Sequence, residues 1–384
     1  MTRKDSPAAL YIHIPFCVQK CSYCDFYSLE AWDSSCLQSY VDALTGEIRL
    51  RCHEWGERCF ASIFFGGGTP SLLNTAQIAT ILDSIYRYYR VHPQAEITIE
   101  ANPATLGRQK LRGYCYAGVN RISLGVQSFF DDELLLLGRI HSAQDVYKTF
   151  DMLRQAGIDN INLDLIYGLP NQSMGRWLAN LRKAIELKPE HISAYLLQLE
   201  ASTPMGQQVQ HKELALPDDE LLLQMYHQTR NLLQESNYFQ YEISNFALTG
   251  RTCQHNIFYW KAYDYLGLGV GAVSKLGGIR RLNQAAIEQY IKKVEQHELP
   301  PQTLLESMDE HEQLADAIIM GLRMVEGINR QELYHRFGLD PYSRYEKEID
   351  ECINRELLLQ DGDMLRLTEK GYFLSNEVFY RFLP

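Results

Sequence analysis

The chain has 384 residues, 46% of them apolar and 22% charged, and a formal charge of −11. Single cores stop growing near roughly 250–300 residues, so one large domain and one smaller domain are expected. The acidic balance argues against a broad electrostatic grip on nucleic acid or on anionic lipid headgroups, and the composition is that of an ordered globular protein.

No apolar run reaches the roughly 18 residues of a membrane span; FASIFFGGG is far too short. The N-terminal MTRKDSPAALYIHIPF places charge before an apolar stretch. That stretch holds Pro7, His13 and Pro15 and runs into cysteines, unlike a signal peptide. A cytoplasmic protein is therefore expected. Nine cysteines, an odd number, then point to reduced thiols or a metal site, because cytosolic disulfides are rare. Cys36, Cys52, Cys59, Cys115 and Cys352 are scattered over helix-like or core-like segments and read as buried free thiols.

In chain order, ALYIHIPF reads as a strand and leads straight into Cys17, Cys21 and Cys24, spaced C-x3-C-x2-C. A helix (LQSYVDALTGEIRLRC) and a second strand (CFASIFFG) follow, the strand ending in Gly66, Gly67, Gly68 and Thr69. Four further strands, EITIEA, RISLGVQS, NINLDLIYG and HISAYLLQL, alternate with four segments of helical period. Two of those helices close on Gly118 and Gly157, as a C-terminal cap would. Six strands separated by helices predict a parallel sheet covered by helices, and both an open Rossmann-like sheet and a β/α barrel fit. Polar residues collect at the strands' C-terminal ends, in GGGTP, EANP, GVQS and DLIYG, which is where a β/α barrel builds its site. Six units predict a partial (β/α)6 barrel over 1–240.

After Leu216 a long helix leads to an irregular stretch rich in Gly and aromatics, and 241–306 is expected to be a connecting region packed on the barrel. From 307 to 384, three helix-like segments precede a hairpin turned at Asp361, Gly362 and Asp363, which predicts a small winged-helix-like domain. Packing suits that domain's acidic balance better than DNA binding.

Thiolates hold iron–sulfur clusters or zinc. Structural zinc needs four protein ligands; the next cysteine is Cys36, on a helix-like segment, and His13 sits inside a strand pattern, where a core role suits it better. A [4Fe-4S] cubane on three cysteines instead leaves one iron free for an outside ligand. The triple Gly fits close backbone approach to a ligand, without the Lys-Ser/Thr of a phosphate loop. Glu100, Gln127, Arg139 and Asp164 lie at or just beyond successive strand ends, where they could converge on one polar ligand.

C-x3-C-x2-C after a first strand, with GGGTP at the end of the second, resembles the radical S-adenosylmethionine superfamily. The resemblance implies a [4Fe-4S] cluster on Cys17, Cys21 and Cys24, with S-adenosylmethionine chelating the unique iron and cleaved to a 5′-deoxyadenosyl radical. It implies cofactor contacts from Gly66, Gly67, Gly68, Thr69, Glu100, Gln127, Arg139 and Asp164, with Tyr11 and Tyr23 flanking cluster and adenine. LYIHIPFC, IFFGGGTPSLL, GVNRISLGVQSF, LDLIYGLPNQ, YEISNFA and HNIFYW together resemble the branch that contains oxygen-independent coproporphyrinogen III oxidases and the HemW heme chaperones. The oxidase pattern carries a further cysteine two residues after the third, where this chain has Phe26, and a longer N-terminal extension; both departures favour the chaperone side.

That side implies heme binding and delivery to acceptor hemoproteins, membrane-bound acceptors included, through CQHNIFYW. There His255 is a plausible axial ligand, Cys253 a weaker one, and Asn256, Tyr259 and Trp260 complete the motif. A turn that packs the tail on the barrel would explain the same residues. No C-x-x-C-H occurs for covalent attachment. Relatives usually read GLGPGAHS where this chain has GLGVGAVS, with Val270 and Val273, so heme is expected to be held differently or less tightly here. The alternatives are a radical oxidoreductase acting on a porphyrinogen and, further off, a zinc protein that binds DNA. The sequence leaves open whether the chain forms a homodimer.

Overall fold

The computed structural model describes residues 7–55 and 57–383; the charged residues 1–6 lie outside it. Six parallel strands form its centre: β1 (Ala8–Ile14), β2 (Cys59–Gly67), β3 (Arg90–Ala101), β4 (Arg121–Gln127), β5 (Ile161–Tyr167) and β6 (His191–Leu196), hydrogen-bonded in chain order. Strands β1 and β6 do not pair with each other, so the barrel is partial, as the count of six units predicts. The covering helices are α1 (Ser34–Trp55), α2 (Thr75–Tyr88), α3 (Arg108–Ala117), the short α4 (Asp131–Leu136), α5 (Ala143–Gln155) and α6 (Met174–Leu187).

Local chemistry starts these helices where they are needed. Asn74 with Gln77, and Ser142 with Asp145, form reciprocal capping boxes at α2 and α5, each stabilising by about 1 kcal/mol. Gly118 ends α3 in the left-handed region. The outward faces of the strands, including Leu10, Ile12, Ile63, Ile97, Ile122 and Leu163, are fully or almost fully buried against the helices. Truncating one such residue to Ala costs about 2–5 kcal/mol.

Helices α7 (Pro204–Gln210) and α8 (Asp219–Glu235) follow, and the segment read as irregular then proves to extend the sheet at both edges. Strand β8 (Asn245–Ala247) adds antiparallel to β6, and β7 (Phe239–Gln240) antiparallel to β8. Beyond α9 (Gln254–Trp260), β9 (Tyr265–Leu268) pairs parallel with β1. Then β10 (Val273–Leu276), β11 (Ile279–Asn283) and, after α10 (Ile287–Glu295), β12 (Gln302–Ser307) complete a twelve-stranded sheet. These strands are two to six residues long and broken by Gly turns, too short to leave an alternation in the sequence.

A second core holds the C-terminal module: α11 (Glu310–Gly321), β13 (Ile328–Asn329), α12 (Arg330–Phe337), α13 (Pro341–Arg344), α14 (Glu346–Asn354), the hairpin β14 (Leu358–Asp361) and β15 (Met364–Leu367), then α15 (Glu369–Phe373) and α16 (Ser375–Phe379). The hairpin turns at Gly362, and β13 pairs with β15, so the helices and hairpin read from the sequence assemble as a winged-helix-like unit.

Candidate functional site

The loop from Pro15 to Asp33 is pinned from several sides, which sets the three cysteines. Cys17 N donates to Leu29 O at 2.9 Å, and the Trp32 indole donates to Cys17 O at 2.8 Å. Ser22 binds the carbonyls of Leu136 and Leu137, just after α4. Gly68 N and Thr69 N donate to Ile14 O and Phe16 O, zipping the end of β2 onto the start of this loop. This docking explains the glycines. A Cβ on Gly68 would stand 2.7 Å from Phe16 O, and one on Gly67, at φ +106°, 2.4 Å from the His13 ring. The protein itself fills the space that the sequence assigns to a ligand, and at Gly66 the filler is Tyr11, Phe64 and Glu100.

One cavity of about 490 Å³ opens at the C-terminal ends of the strands. Cys17, Cys21, Cys24, Tyr23, Gly67, Gly68, Thr69, Glu100, Gln127, Arg139 and Asp164 all line it. Tyr11 and Gly66 do not. Thr69 Oγ1 lies 3.6 Å from Cys17 Sγ, and Arg139 donates to Cys21 Sγ at 3.3 Å and to Gly125 O at 2.9 Å. The Nε of Arg139 is buried with no partner. Burial raises the thiols of Cys17 and Cys24 above their ordinary value, and it raises the Tyr23 phenol as well. Gln127 holds φ +64°, a strained conformation for a non-Gly residue at a strand end. Burial, with Asp164 nearby, pushes the Glu100 carboxyl up to about 8, although Gly67 N donates to it at 3.2 Å. Among the described residues, no group of three His, Cys, Asp or Glu side chains stands close enough to hold a metal ion, the three cysteines of the loop included.

The scattered cysteines are less enclosed than expected. Cys36, Cys52, Cys59 and Cys115 are half-buried, and of that group only Cys352 is buried; they ride on helix or strand faces that graze the core rather than enter it. His13 is in a buried position, bonded to Tyr11 and to the Tyr27 carbonyl, and so braces the loop.

The HNIFYW residues separate. His255, Asn256 and Tyr259 line an inner chamber of about 260 Å³ inside the barrel, below the first cavity and sharing Gly67, Glu100, Ser123, Asp164 and Tyr195 with it. Tyr11 belongs here as well. His255 is only 2% exposed, stacks on Phe64 at 4.8 Å, and bonds Ser62 Oγ through Nδ1 at 2.9 Å. Its Nε2 is buried without a partner. Burial, reinforced by Arg121, lowers its pKa to about 3, so the imidazole is neutral. Trp260 points instead toward the C-terminal module, with the Arg323 guanidinium 4.8 Å from its ring. Val273 starts β10, opposite Leu282 on β11.

Sequence reading missed Glu96, Arg121 and Tyr195. The signal was present: the inward positions of β3 to β6 read Glu96, Thr98, Glu100; Arg121, Ser123; Asn162, Asp164; and His191, Ser193, Tyr195. A packed barrel carries Val, Ile and Leu there.

The family model described as "Radical SAM superfamily" matches residues 11–184, and "HemN C-terminal domain" matches 308–374. Curated relatives named "Heme chaperone HemW" are 37% identical in Escherichia coli and 36% in Haemophilus influenzae, each match covering 98% of both chains. "Radical S-adenosyl methionine domain-containing protein 1, mitochondrial" of Bos taurus is 35% identical, over 95% of this chain and 84% of that one. The solved coproporphyrinogen III oxidase HemN of Escherichia coli shares the fold, with a TM-score of 0.83 at 24% identity over 99% of this chain and 90% of its own. With matched domains at both ends and full-length relatives above 30% identity, the chain belongs to the radical SAM superfamily, within the family of HemW heme chaperones.

Proposed function

We propose that this protein binds heme and delivers it to acceptor hemoproteins, and that it carries a [4Fe-4S] cluster on Cys17, Cys21 and Cys24 with S-adenosylmethionine beside it. The observation that carries the reading is the convergence of all three thiols with Glu100, Gln127, Arg139 and Asp164 on one cavity. The donor set suits the cluster in its chemistry: three sulfur ligands on one braced loop facing one cavity, with the Arg139 cation against Cys21. When bound, the cluster supplies an iron with an open coordination position and an electron for sulfonium cleavage.

The chain's own residues then bind and orient. Arg139, with an Nε still unpartnered, offers a fork to a cofactor carboxylate, and Asp164 and Gln127 offer acceptors to its hydroxyls and amine. Glu100 enters protonated and can give up that proton when a cation arrives. His255 offers a neutral ring with a free Nε2, and rotation of the Ser62 hydroxyl supports either tautomer. The chamber around it, about 260 Å³, is smaller than the roughly 300–1,000 Å³ of most ligand pockets, so this conformation does not enclose a whole heme beside Nε2. Cytoplasmic heme-handling is part of this reading.

Anaerobic reconstitution followed by heme titration tests it: a saturable Soret shift is expected, and its absence removes the reading. His255→Ala should weaken that shift in protein shown to retain its fold and its cluster. The overlay on HemN favours a second reading, porphyrinogen oxidation. Incubation with coproporphyrinogen III, reductant and S-adenosylmethionine should give no protoporphyrinogen IX; its appearance would choose the second reading.

A further inference from the structure

The inner chamber holds a permanent charge that neither the cluster nor heme ligation uses. Arg121, at the start of β4, is 2% exposed and lines the chamber. Among the described residues it has one ion-pair neighbour, Glu96, at 4.0 Å, beyond hydrogen-bond range, and its buried Nε has no partner. A buried guanidinium left short of acceptors is costly to fold, and an acceptor brought by a ligand would relieve that cost.

The surrounding carboxyls do not complete it. Glu96 is engaged by α9, accepting from Gln254 N at 3.2 Å, His255 N at 3.3 Å and the Cys253 thiol at 3.5 Å. Asp164 accepts from Ser123 Oγ at 2.9 Å and Asn162 Nδ2 at 2.8 Å. Glu100 is largely protonated at neutral pH and is a donor rather than a repelling charge. The His255 Nε2 is a further donor whenever Ser62 donates to Nδ1. The chamber therefore sets the Arg121 cation and the unpartnered His255 Nε2 around a space that the engaged oxygens of Glu96 and Asp164 do not fill, in a barrel interior that a packed fold would fill with aliphatic side chains.

We propose that this chamber is a binding site for a carboxylate group, anchored by Arg121 with His255 Nε2 as its second donor, and entered from the cofactor cavity with which it shares Glu100, Ser123 and Tyr195. The carboxylate belongs either to a free small organic acid or to an acidic arm of a larger molecule seated in the cavity above. The proposal does not depend on iron ligation by His255.

The test compares propionate with propionamide, which has the same shape without the charge, by calorimetry on the reconstituted full chain. Saturable propionate binding, tighter than propionamide by roughly tenfold or more, is expected from one charge-assisted fork. Arg121→Met should abolish the preference, and Arg121→Lys, which keeps the charge and folds with less risk, should reduce it without erasing it. Equal affinity for the two probes, or a preference that survives in both variants, overturns the proposal and leaves a chamber that holds water only. A second pair separates the two sources. Preference for hemin over its dimethyl ester, lost in Arg121→Met and reduced in Arg121→Lys, assigns the carboxylate to the tetrapyrrole. Equal affinity for those two, with the propionate preference intact, assigns it to a free acid. Loss of hemin binding altogether, with propionate binding retained, removes the heme reading but not the chamber.

Discussion

Glu100 shows how one buried carboxyl ties cofactor binding to pH. Its pKa stands near 8 because it is buried and faces Asp164, against an ordinary value of 4.5. The folded chain therefore holds a proton that the unfolded chain releases above about pH 4.5, so this group's stabilising contribution is complete below that pH and is lost as pH climbs through 8. Glu100→Gln keeps an oxygen for Gly67 N and removes the titration. Denaturant melts of the apoprotein should find the variant more stable than the parent by about 4 kcal/mol at pH 8 and by under about 1 kcal/mol at pH 5. The same variant should bind S-adenosylmethionine more weakly, since it cannot become an anion beside a sulfonium. A variant less stable at pH 8 than at pH 5, relative to the parent, would contradict this assignment of the proton.

Among the elements, α9 is the one whose position decides what His255 can do. Its N-terminal amides rest on Glu96, and the carbonyls just past its C-terminus are held by three cationic contacts: Arg336 Nη1 to Lys261 O at 2.9 Å, Arg336 Nη2 to Ala262 O at 3.3 Å and Lys275 Nζ to Ala262 O at 3.2 Å. Seven residues make too short a helix to persist alone, so these tethers and the packing of His255 and Phe258 keep it formed. Arg336→Ala removes two of the bonds, and amide exchange across residues 254–262 should accelerate roughly tenfold while exchange in β1 to β6 is unchanged. Unchanged exchange in 254–262 would mean that barrel packing alone holds the helix. Gly67 shows the same dependence at a strand end: at φ +106° and against the His13 ring, Gly67→Ala should push the cysteine loop away and lower the iron content of reconstituted protein.

At the scale of the whole molecule, the barrel and the C-terminal module are joined through a charged cluster. Asp316 on α11 receives Lys275 at 2.6 Å and Arg280 at 2.8 Å, both from the added strands β10 and β11. The Lys275 side chain is only 5% exposed, so Asp316→Ala would leave a buried ammonium unpaired. Breaking such a pair costs about 3–5 kcal/mol. Denaturation of this variant should show the module, with its separate core, melting in an earlier transition than the barrel; a single unshifted transition would show that the apolar contacts alone join them.

What the residues announce on their own is whatever local periodicity and spacing encode: six strand–helix repeats, the three closely spaced cysteines, the polar strand ends that meet in one cavity, and the helices and hairpin of the tail. Such features are legible because a helix cap, a heptad-like stripe or a C-x3-C-x2-C run lies within a few residues. The edge strands β7 to β12 were not legible, because two to six residues between Gly turns carry no period and find their partners only through pairing with distant chain. The inner chamber was legible only as polar residues at inward positions of β3 to β6; that Arg121, Asn162 and His255, far apart in sequence, line one space was decided by the strand register and the docking of α9. Tertiary structure likewise parted Trp260 from His255, turning one toward the module and the other into the barrel, since residues five apart on a helix lie about 140° from each other around its axis.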